Sequence, residues 1–409
     1  MYSLMMRTRP TSDQLQILNL LLDGEPKTRI QLAAATGWAR NTVVARLNEL
    51  IEVGWVTTDD VGGMRGRPAA FYVLNAQASL LFVANFGLTR LRSALTDLLG
   101  RALATEDLEF SIEAGPQEAM RAAAAAKQRL SAQSGTQPDA IVAAAVTLPS
   151  PLDHPSGLPL NPASMPGWTQ FTVAEGFAAA LGVPTSADND ANAMALGVQR
   201  LAVPRARNLV CINIEDGVGA GIISSGVLQR GERGLAGEIG HVPSPKAAGR
   251  PCDCGNEGCL TQLTSNAAII RDLRTAGLDV ASVEDVTGLS GRGNPEVLQT
   301  LREAGRCLGE VLVAVSAVLS PSVIVLTGAL TVGDHIASGV REVIFSRSVP
   351  AFVSHLVITT APDHRECAIN GGAALALEAL ISRDGDTRTK AEWTALASAG
   401  EGLLQAVPA

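Results

Sequence analysis

Apolar residues at helical spacing dominate the first fifty positions. Leu15, Ile17, Leu18, Leu20, Leu21 and Leu22 form one run between Ser12 and Asp23-Gly24, which predicts a helix over residues 12–22. A second, shorter helix fits residues 28–36, with Thr28 as its cap, Ile30, Leu32 and Ala33 turned inward, and Gly37 supplying the turn after it. A third fits residues 39–53 and buries Val43, Leu47, Leu50 and Ile51. This spacing predicts a helix-turn-helix, whose second helix lies in the major groove of DNA with its first residues at base edges. Arg40, Asn41 and Thr42 occupy that first turn and Arg46 lies one turn further on; arginine reads guanine edges and asparagine adenine edges. Two short strand-like stretches, 55–58 and 70–74, flank a glycine-rich tip, Arg65-Gly66-Arg67-Pro68. They predict a wing whose paired arginines enter a narrow A·T minor groove. Each signal alone also fits a packing unit or a solvated hairpin; their order favours a DNA-binding domain.

Beyond a hinge at residues 75–79 the pattern becomes one of strands alternating with helices, an α/β arrangement. Strands are predicted over 80–89 and 91–98, a helix over 116–133, a buried strand over 140–147 and a helix over 173–181. Further on come strands at 209–214 and 222–224, helices at 266–276 and 295–319, strands at 323–327 and 355–360, and a helix at 371–380. No internal repeat is visible in the residues. The last segment holds an amphipathic pattern around Trp393.

Composition narrows the class. The chain of 409 residues is 46% hydrophobic and 18% charged, as a soluble protein with sizeable cores would be. Neither a membrane span nor the apolar core of a signal peptide is present, so the expected location is the cytoplasm, with no membrane partner. The net charge of −8 excludes nucleic-acid binding over the whole surface. It is uneven: residues 1–75 hold eight basic against seven acidic side chains, so any DNA contact belongs to that segment.

Candidate chemistry concentrates in one place. His241, Cys252, Cys254 and Cys259 supply one imidazole and three thiols within a short, glycine-flanked segment, while Cys211, Cys307 and Cys367 stand alone. Zinc takes four such donors in a tetrahedron, and a Cys-x-Cys-Gly knuckle turns two sulfurs onto one ion. A closed, structural Zn2+ site is the reading that follows.

Gly237-Glu238-Ile239-Gly240-His241 followed by Cys-x-Cys-Gly-x-x-Gly-Cys resembles the signature of the ROK family, which contains sugar kinases and sugar-responsive transcriptional repressors. The resemblance implies a winged helix-turn-helix domain over residues 1–75, a two-lobed actin-like (ribonuclease H-like) sugar kinase-like domain over residues 80–382, and a tail over 383–409. Lobe one would take in residues 80–190 and the helix at 371–380, lobe two residues 191–365. It further implies that His241 serves both the zinc loop and a bound sugar, that Glu238 bonds sugar hydroxyls, and that Asn189 and Asp190 hold a sugar hydroxyl. Asp190 stands where the kinases keep their general base. On residue type alone the run Asp188-Asn189-Asp190 is also a helix cap. Where the family places a glutamate two residues after the last cysteine, this chain has Thr261. Met165-Pro166-Gly167-Trp168 resembles the family's sugar-side loop and Gly328-Ala329 its adenosine-side turn.

The kinases' Asp-x-Gly-x-Thr appears as Asn85-Phe86-Gly87-Leu88-Thr89, and their Gly-Thr-Gly as Glu215-Asp216-Gly217. Mg2+ would lose a carboxylate and a phosphate would meet added negative charge. The sugar-binding half of the site is therefore better kept than the transfer half. The resemblance then implies a sugar-responsive transcriptional regulator, a repressor of carbohydrate uptake or catabolic genes, with Asp190 a vestigial base and no catalytic residue. The alternatives are a ROK sugar kinase with an added DNA-binding domain, and an interaction module on a degenerate kinase scaffold. A homodimer or homotetramer on a two-fold operator is the expected assembly.

Overall fold

The computed structural model describes residues 11–22, 24–59, 70–160 and 165–381. Arg65 and Arg67 of the predicted wing tip, and Trp393 with the rest of the tail, lie outside the described residues.

The small domain runs α1 (Ser12–Leu21), β1 (Lys27–Thr28), α2 (Arg29–Thr36), α3 (Arg40–Glu52), β2 (Val56–Asp59) and β3 (Phe71–Leu74). Capping boxes start the first two helices, Thr11 with Gln14 and Thr28 with Gln31, each satisfying two otherwise unpaired backbone donors. Gly37, at φ 72°, ends α2 in the left-handed turn that glycine tolerates. The strands pair antiparallel in the order β1-β3-β2. Leu15, Ile17, Leu18, Leu21, Leu32, Val43, Leu47 and Leu50 fill the core. Two predicted core positions are instead on the surface: Ile30 is 58% exposed and Ile51 37% exposed. α2 is only eight residues long; Leu32 is buried in the core and Ala33 packs against it, while Ile30 faces away. The core stripe of α3 is Val43, Leu47 and Leu50, and Ile51 falls beside it just where the helix ends. Arg46 also departs from its expected place at base edges. Its guanidinium is half-buried and holds Asp13 of α1 at 3.2 Å and Glu49 at 2.6 Å, pinning α1 to α3.

The large domain has two lobes. In the first, β4 (Leu80–Phe86), β5 (Arg90–Thr96) and β6 (Ala102–Glu109) form a meander. Then come α4 (Pro116–Ser134), β7 (Ile141–Leu148), the hairpin β8 (Leu152–Asp153) and β9 (Leu158–Pro159), α5 (Val173–Leu181) and β10 (Thr185–Asn189). β7 and β10 join parallel, giving the order β10-β7-β4-β5-β6. α6 (Asp190–Leu201) crosses to the second lobe, with β11 (Leu209–Ile214), β12 (Val218–Ser224) and β13 (Val227–Leu228). α7 (Thr261–Thr264), α8 (Asn266–Thr275), α9 (Val283–Gly291) and α10 (Pro295–Leu319) follow, then β14 (Val323–Thr327), α11 (His335–Arg347), α12 (Pro350–Val353), β15 (Val357–Thr360) and α13 (His364–Ile381).

The second sheet reads β13-β12-β11-β14-β15, with the same antiparallel meander and the same two parallel additions as the first. The residues show no repeat, yet the topology repeats. Even the polar positions correspond: Asn85 faces Thr147 across β4 and β7, and Asn213 faces Thr327 across β11 and β14. The predicted strand at 355–360 begins at Val357, and the last helix starts at His364, two turns before its expected position.

α6 lies on the sheet of lobe two and α13 on that of lobe one, and the two helices pack directly on one another. Glycine makes that approach feasible on both sides. A methyl group on Gly371 would sit 1.7 Å from the carbonyl oxygen of Ala193, and one on Gly197 would sit 1.8 Å from that of Cys367. The small domain is not a separate bead. Leu15, Ile17, Trp55 and Leu74 share one buried cluster with Leu81, Val83 and Leu98 of lobe one and Leu375, Leu377 and Leu380 of α13. Among the described residues no helix is long and apolar enough to cross a membrane.

Candidate ligand and metal site

The head of α6 carries Asn189 and Asp190. Asn189 is the helix cap, its Oδ1 accepting from the backbone N–H of Ala191 at 2.8 Å, so the capping role read from residue type is real. Asp190 begins the helix half-buried; its Oδ1 accepts from the same N–H at 2.7 Å and its Oδ2 from Asn213 Nδ2 at 3.3 Å. Asn213 is in turn fixed by the Thr327 hydroxyl at 3.0 Å. Sequence reasoning passed over Asn213; its signal was a polar residue inside the otherwise apolar run of β11, 5% exposed.

Glu238 is presented by a loop laid against β12. Gly237, at φ 100°, accepts the N–H of Ala220 at 2.8 Å, and a Cβ there would fall 1.8 Å from the Ala220 oxygen, so only glycine allows the contact. Glu238 Oε2 then lies 3.8 Å from His241 Nε2. Desolvation raises the Asp190 carboxyl to about 7, with Glu238 and Asp216 adding to the rise against the Ala191 hydrogen bond. Burial likewise brings Glu238 to about 7. Glu215 reaches about 7 because burial, with repulsion from Asp190 and Asp216, outweighs the attraction of Arg92 and Arg365. Burial also raises Asp216. Four acids thus gather at one cleft, each with its proton held more tightly than in water.

The metal-ligating candidates meet a few ångströms away. Cys254 and Cys259 have their sulfurs 3.6 Å apart, Cys252 Sγ is 3.6 Å from His241 Nδ1, and all four donor atoms lie within 4.8 Å of one another. Zn–S bonds of about 2.3 Å and a Zn–N bond of about 2.0–2.1 Å imply tetrahedral edges of roughly 3.6–3.8 Å, so the set fits a zinc ion. Burial holds the His241 imidazole below its ordinary value, which keeps the ring neutral as a metal ligand must be. Nδ1 faces the thiols and Nε2 faces Glu238, so one ring joins the metal cluster to the acidic cleft. The segment is shaped by backbone turns and tied down by two cations: the Cys252 N–H donates to Asn256 O at 2.9 Å, isolated bridges pair Pro243 with Cys259 and Pro251 with Glu257, Arg250 holds Gln262 O at 2.8 Å and Asp272 at 3.1 Å, and Lys246 holds Glu303 at 2.8 Å. Thr261 is buried at the start of α7.

Trp168 of the Met165–Trp168 run is fully buried; its indole donates to Ile112 O at 3.2 Å and stacks on Phe177. It anchors the loop from below. Asp216 also borders a cavity of about 570 Å3 between the β11–β12 turn and α8, whose lining includes Asn266, Ile270, Arg274 and Val283.

The ROK family profile matches residues 83–379. The chain belongs to the ROK family. An IclR helix-turn-helix domain matches residues 15–60, ahead of it. The "Xylose repressor" of Bacillus spizizenii is 25% identical over 343 residues, covering 83% of this chain and 88% of that protein. The "Glucokinase" of Halalkalibacterium halodurans is 27% identical over 226 residues, 51% of this chain and 68% of that one. Among solved structures, a ROK family transcriptional regulator described as a homolog of the E. coli MLC protein superposes with a TM-score of 0.76 at 24% identity. It covers 95% of this ROK protein and 98% of itself. The fold is therefore that of the ROK sugar kinases, actin-like and two-lobed, preceded by a helix-turn-helix domain.

Proposed function

We propose that this ROK protein is a sugar-responsive transcriptional regulator, a repressor that binds operator DNA through its winged helix-turn-helix and a sugar or sugar derivative between its lobes. The observation that carries this reading is the joining of two modules in one chain. A helix-turn-helix unit shares a buried core with a kinase-like domain, and the solved ROK family transcriptional regulator superposes on 95% of the chain, hence on both. Asn189, Asp190, Glu238 and His241 would hold the sugar. Neutral sugar hydroxyls suit acids near their pKa, which donate or accept according to need. His241, Cys252, Cys254 and Cys259 would hold a structural zinc, whose part is to fold the loop and orient the His241 ring.

Catalysis is the runner-up. Phosphoryl transfer needs a metal-bearing carboxylate and room for phosphate charge, and this chain offers Asn85 and Glu215-Asp216 at those places. A full carboxylate about 4 Å from a phosphate charge costs about 4 kcal/mol at an effective dielectric near 20, about a thousandfold in affinity. With Glu215 near half-protonated at neutral pH the penalty is smaller than that, but its sign is unchanged. Calorimetry with D-xylose and D-glucose is expected to show binding of a sugar, and ATP none. Sugar-dependent ADP release at ordinary kinase turnover, lost in Asp190→Ala, would install the kinase reading in its place.

On the DNA side, Arg40, Asn41 and Thr42 are exposed at the start of α3, as a reading helix requires; Arg46 is committed to α1. Arg40→Ala is expected to cost about 1–3 kcal/mol of discrimination at one base position and relax specificity there. Binding selection from random duplexes reads this directly, and an unchanged site logo would rule out α3 as the reader. We further propose a two-fold oligomer, since one helix-turn-helix covers one half-site.

A further inference from the structure

A single arginine joins three parts of this molecule that the sugar and metal residues leave unconnected. Arg230 belongs to lobe two, just past β13, in the segment of residues 229–237 that leads to Glu238. Its Nε donates to Asp188 Oδ2 at 2.7 Å and its Nη2 to Glu378 Oε2 at 3.1 Å. Asp188, 1% exposed, is the residue before Asn189 and Asp190 on β10; it also accepts from Asn192 at 2.8 Å and lies 3.6 Å from His154. Glu378 is on α13, seven residues beyond Gly371. A second tie, Arg233 to Asp153 at 3.1 Å, fixes the same segment to the β8–β9 hairpin.

We infer that Arg230 is the positioning residue that passes occupancy of the sugar site to α13, and through α13 to the DNA-binding domain. The inference rests on the effector reading above. Gln229 and Gly237, at the two ends of the 229–237 segment, are hydrogen-bonded to β12, so the segment is rooted in lobe two while Arg230 and Arg233 reach across to lobe one. Both carboxylates that hold Arg230 travel with lobe one. Any ligand that draws Glu238 and His241 toward Asn189 and Asp190 must therefore shift Arg230 relative to Glu378. The α6–α13 crossing at Gly197 and Gly371 is a close-packed pivot. At 1.5 Å per residue Glu378 lies about 10 Å along the helix from it, a lever arm on the side of Leu377 and Leu380. Those two leucines belong to the cluster that includes α1 and Trp55.

Two variants separate coupling from binding. Glu378→Gln leaves the Asp188 pair whole but removes the carboxylate through which α13 holds Arg230. Arg230→Lys keeps a cation for buried Asp188 but gives up the longer, planar fork whose Nε and Nη2 each serve one carboxylate, so the tie to Glu378 is weakened. The test uses the full-length protein, an operator duplex recovered by binding selection, and D-xylose and D-glucose as probes. In the wild type the binding sugar shifts operator affinity, typically about 5–150-fold between coupled sites. In both variants that shift is expected to fall below about twofold while sugar affinity stays within about twofold of wild type, and sugar-induced hydrogen-exchange protection no longer extends to residues 371–381. A wild-type shift retained in both variants overturns the role of Arg230. A wild type whose operator affinity neither sugar moves overturns the proposed effector, and this inference with it.

Discussion

Cys254→Ser protein is expected to emerge from purification with well under half a zinc per chain and to bind no sugar. Three donors remain, but a closed structural site uses four, and such sites hold their ion with about 10–16 kcal/mol in small zinc domains. The segment from His241 to Cys259 has little core of its own: two isolated bridges, several tight turns, few buried side chains and the surface ties of Lys246 and Arg250. Without the ion the His241 ring loses its orientation, so Nε2 no longer addresses the cleft beside Glu238. Limited proteolysis should then cut within residues 241–259 and leave the rest intact. Full zinc content in the variant, or wild-type sugar affinity in chelator-stripped protein, would refute the assignment.

How far the residues alone foretell this structure depends on whether their information is local. The capping residue Thr28, the turn at Gly37 and the stripe of Val43, Leu47 and Leu50 are read within a few positions, and all three stand in the structure. The cluster of His241, Cys252, Cys254 and Cys259, which could hold a metal, is legible for the same reason, because its chemistry and spacing sit in one segment. Burial at the end of a helix is not local. Ile51 is as apolar as Leu50, but it falls beside the stripe in the last turn of α3 and is left 37% exposed. Nor is the fate of Arg46, decided by Asp13 more than thirty residues away. Asn213 and Arg230 escaped notice because each gains its meaning from partners in distant elements: Asp190 and Thr327 for one, Asp188 and Glu378 for the other. The repeated sheet order left no trace in the residues, since what repeats is strand direction and pairing rather than side chains.

Gly371→Ala is expected to destabilise the protein by about 2 kcal/mol or more. In an ordinary helix the same change would stabilise by up to about 1 kcal/mol. Here the added methyl would lie 1.7 Å from the Ala193 oxygen, and both helices are held to sheets that resist their separation. Overpacking of this kind costs about 1–3 kcal/mol and occasionally more, so the clash wins over the propensity. Urea unfolding should show a lower midpoint, and sugar binding should weaken because α6 carries Asn189 and Asp190 at its head. Gly135→Ala is the control: its φ of 67° carries backbone strain alone, with nothing within 4 Å of the new methyl. A Gly371→Ala midpoint equal to wild type would mean that the crossing yields, and that it is no pivot.

The matched strand orders of the two lobes, down to an asparagine facing a threonine on neighbouring strands of each sheet, have the form of an ancestral half-molecule copied and joined. Two halves of one design leave unequal freedom to the parts. Each lobe closes its own sheet, so loops at the strand ends can exchange one ligand for another, gain a metal or shed a catalytic group without disturbing the opposite half. The crossing helices, α6 on one sheet and α13 on the other, lock the halves together. New specificities should therefore arise at the rim of the cleft, while the seam between the copies stays as it was when they first met.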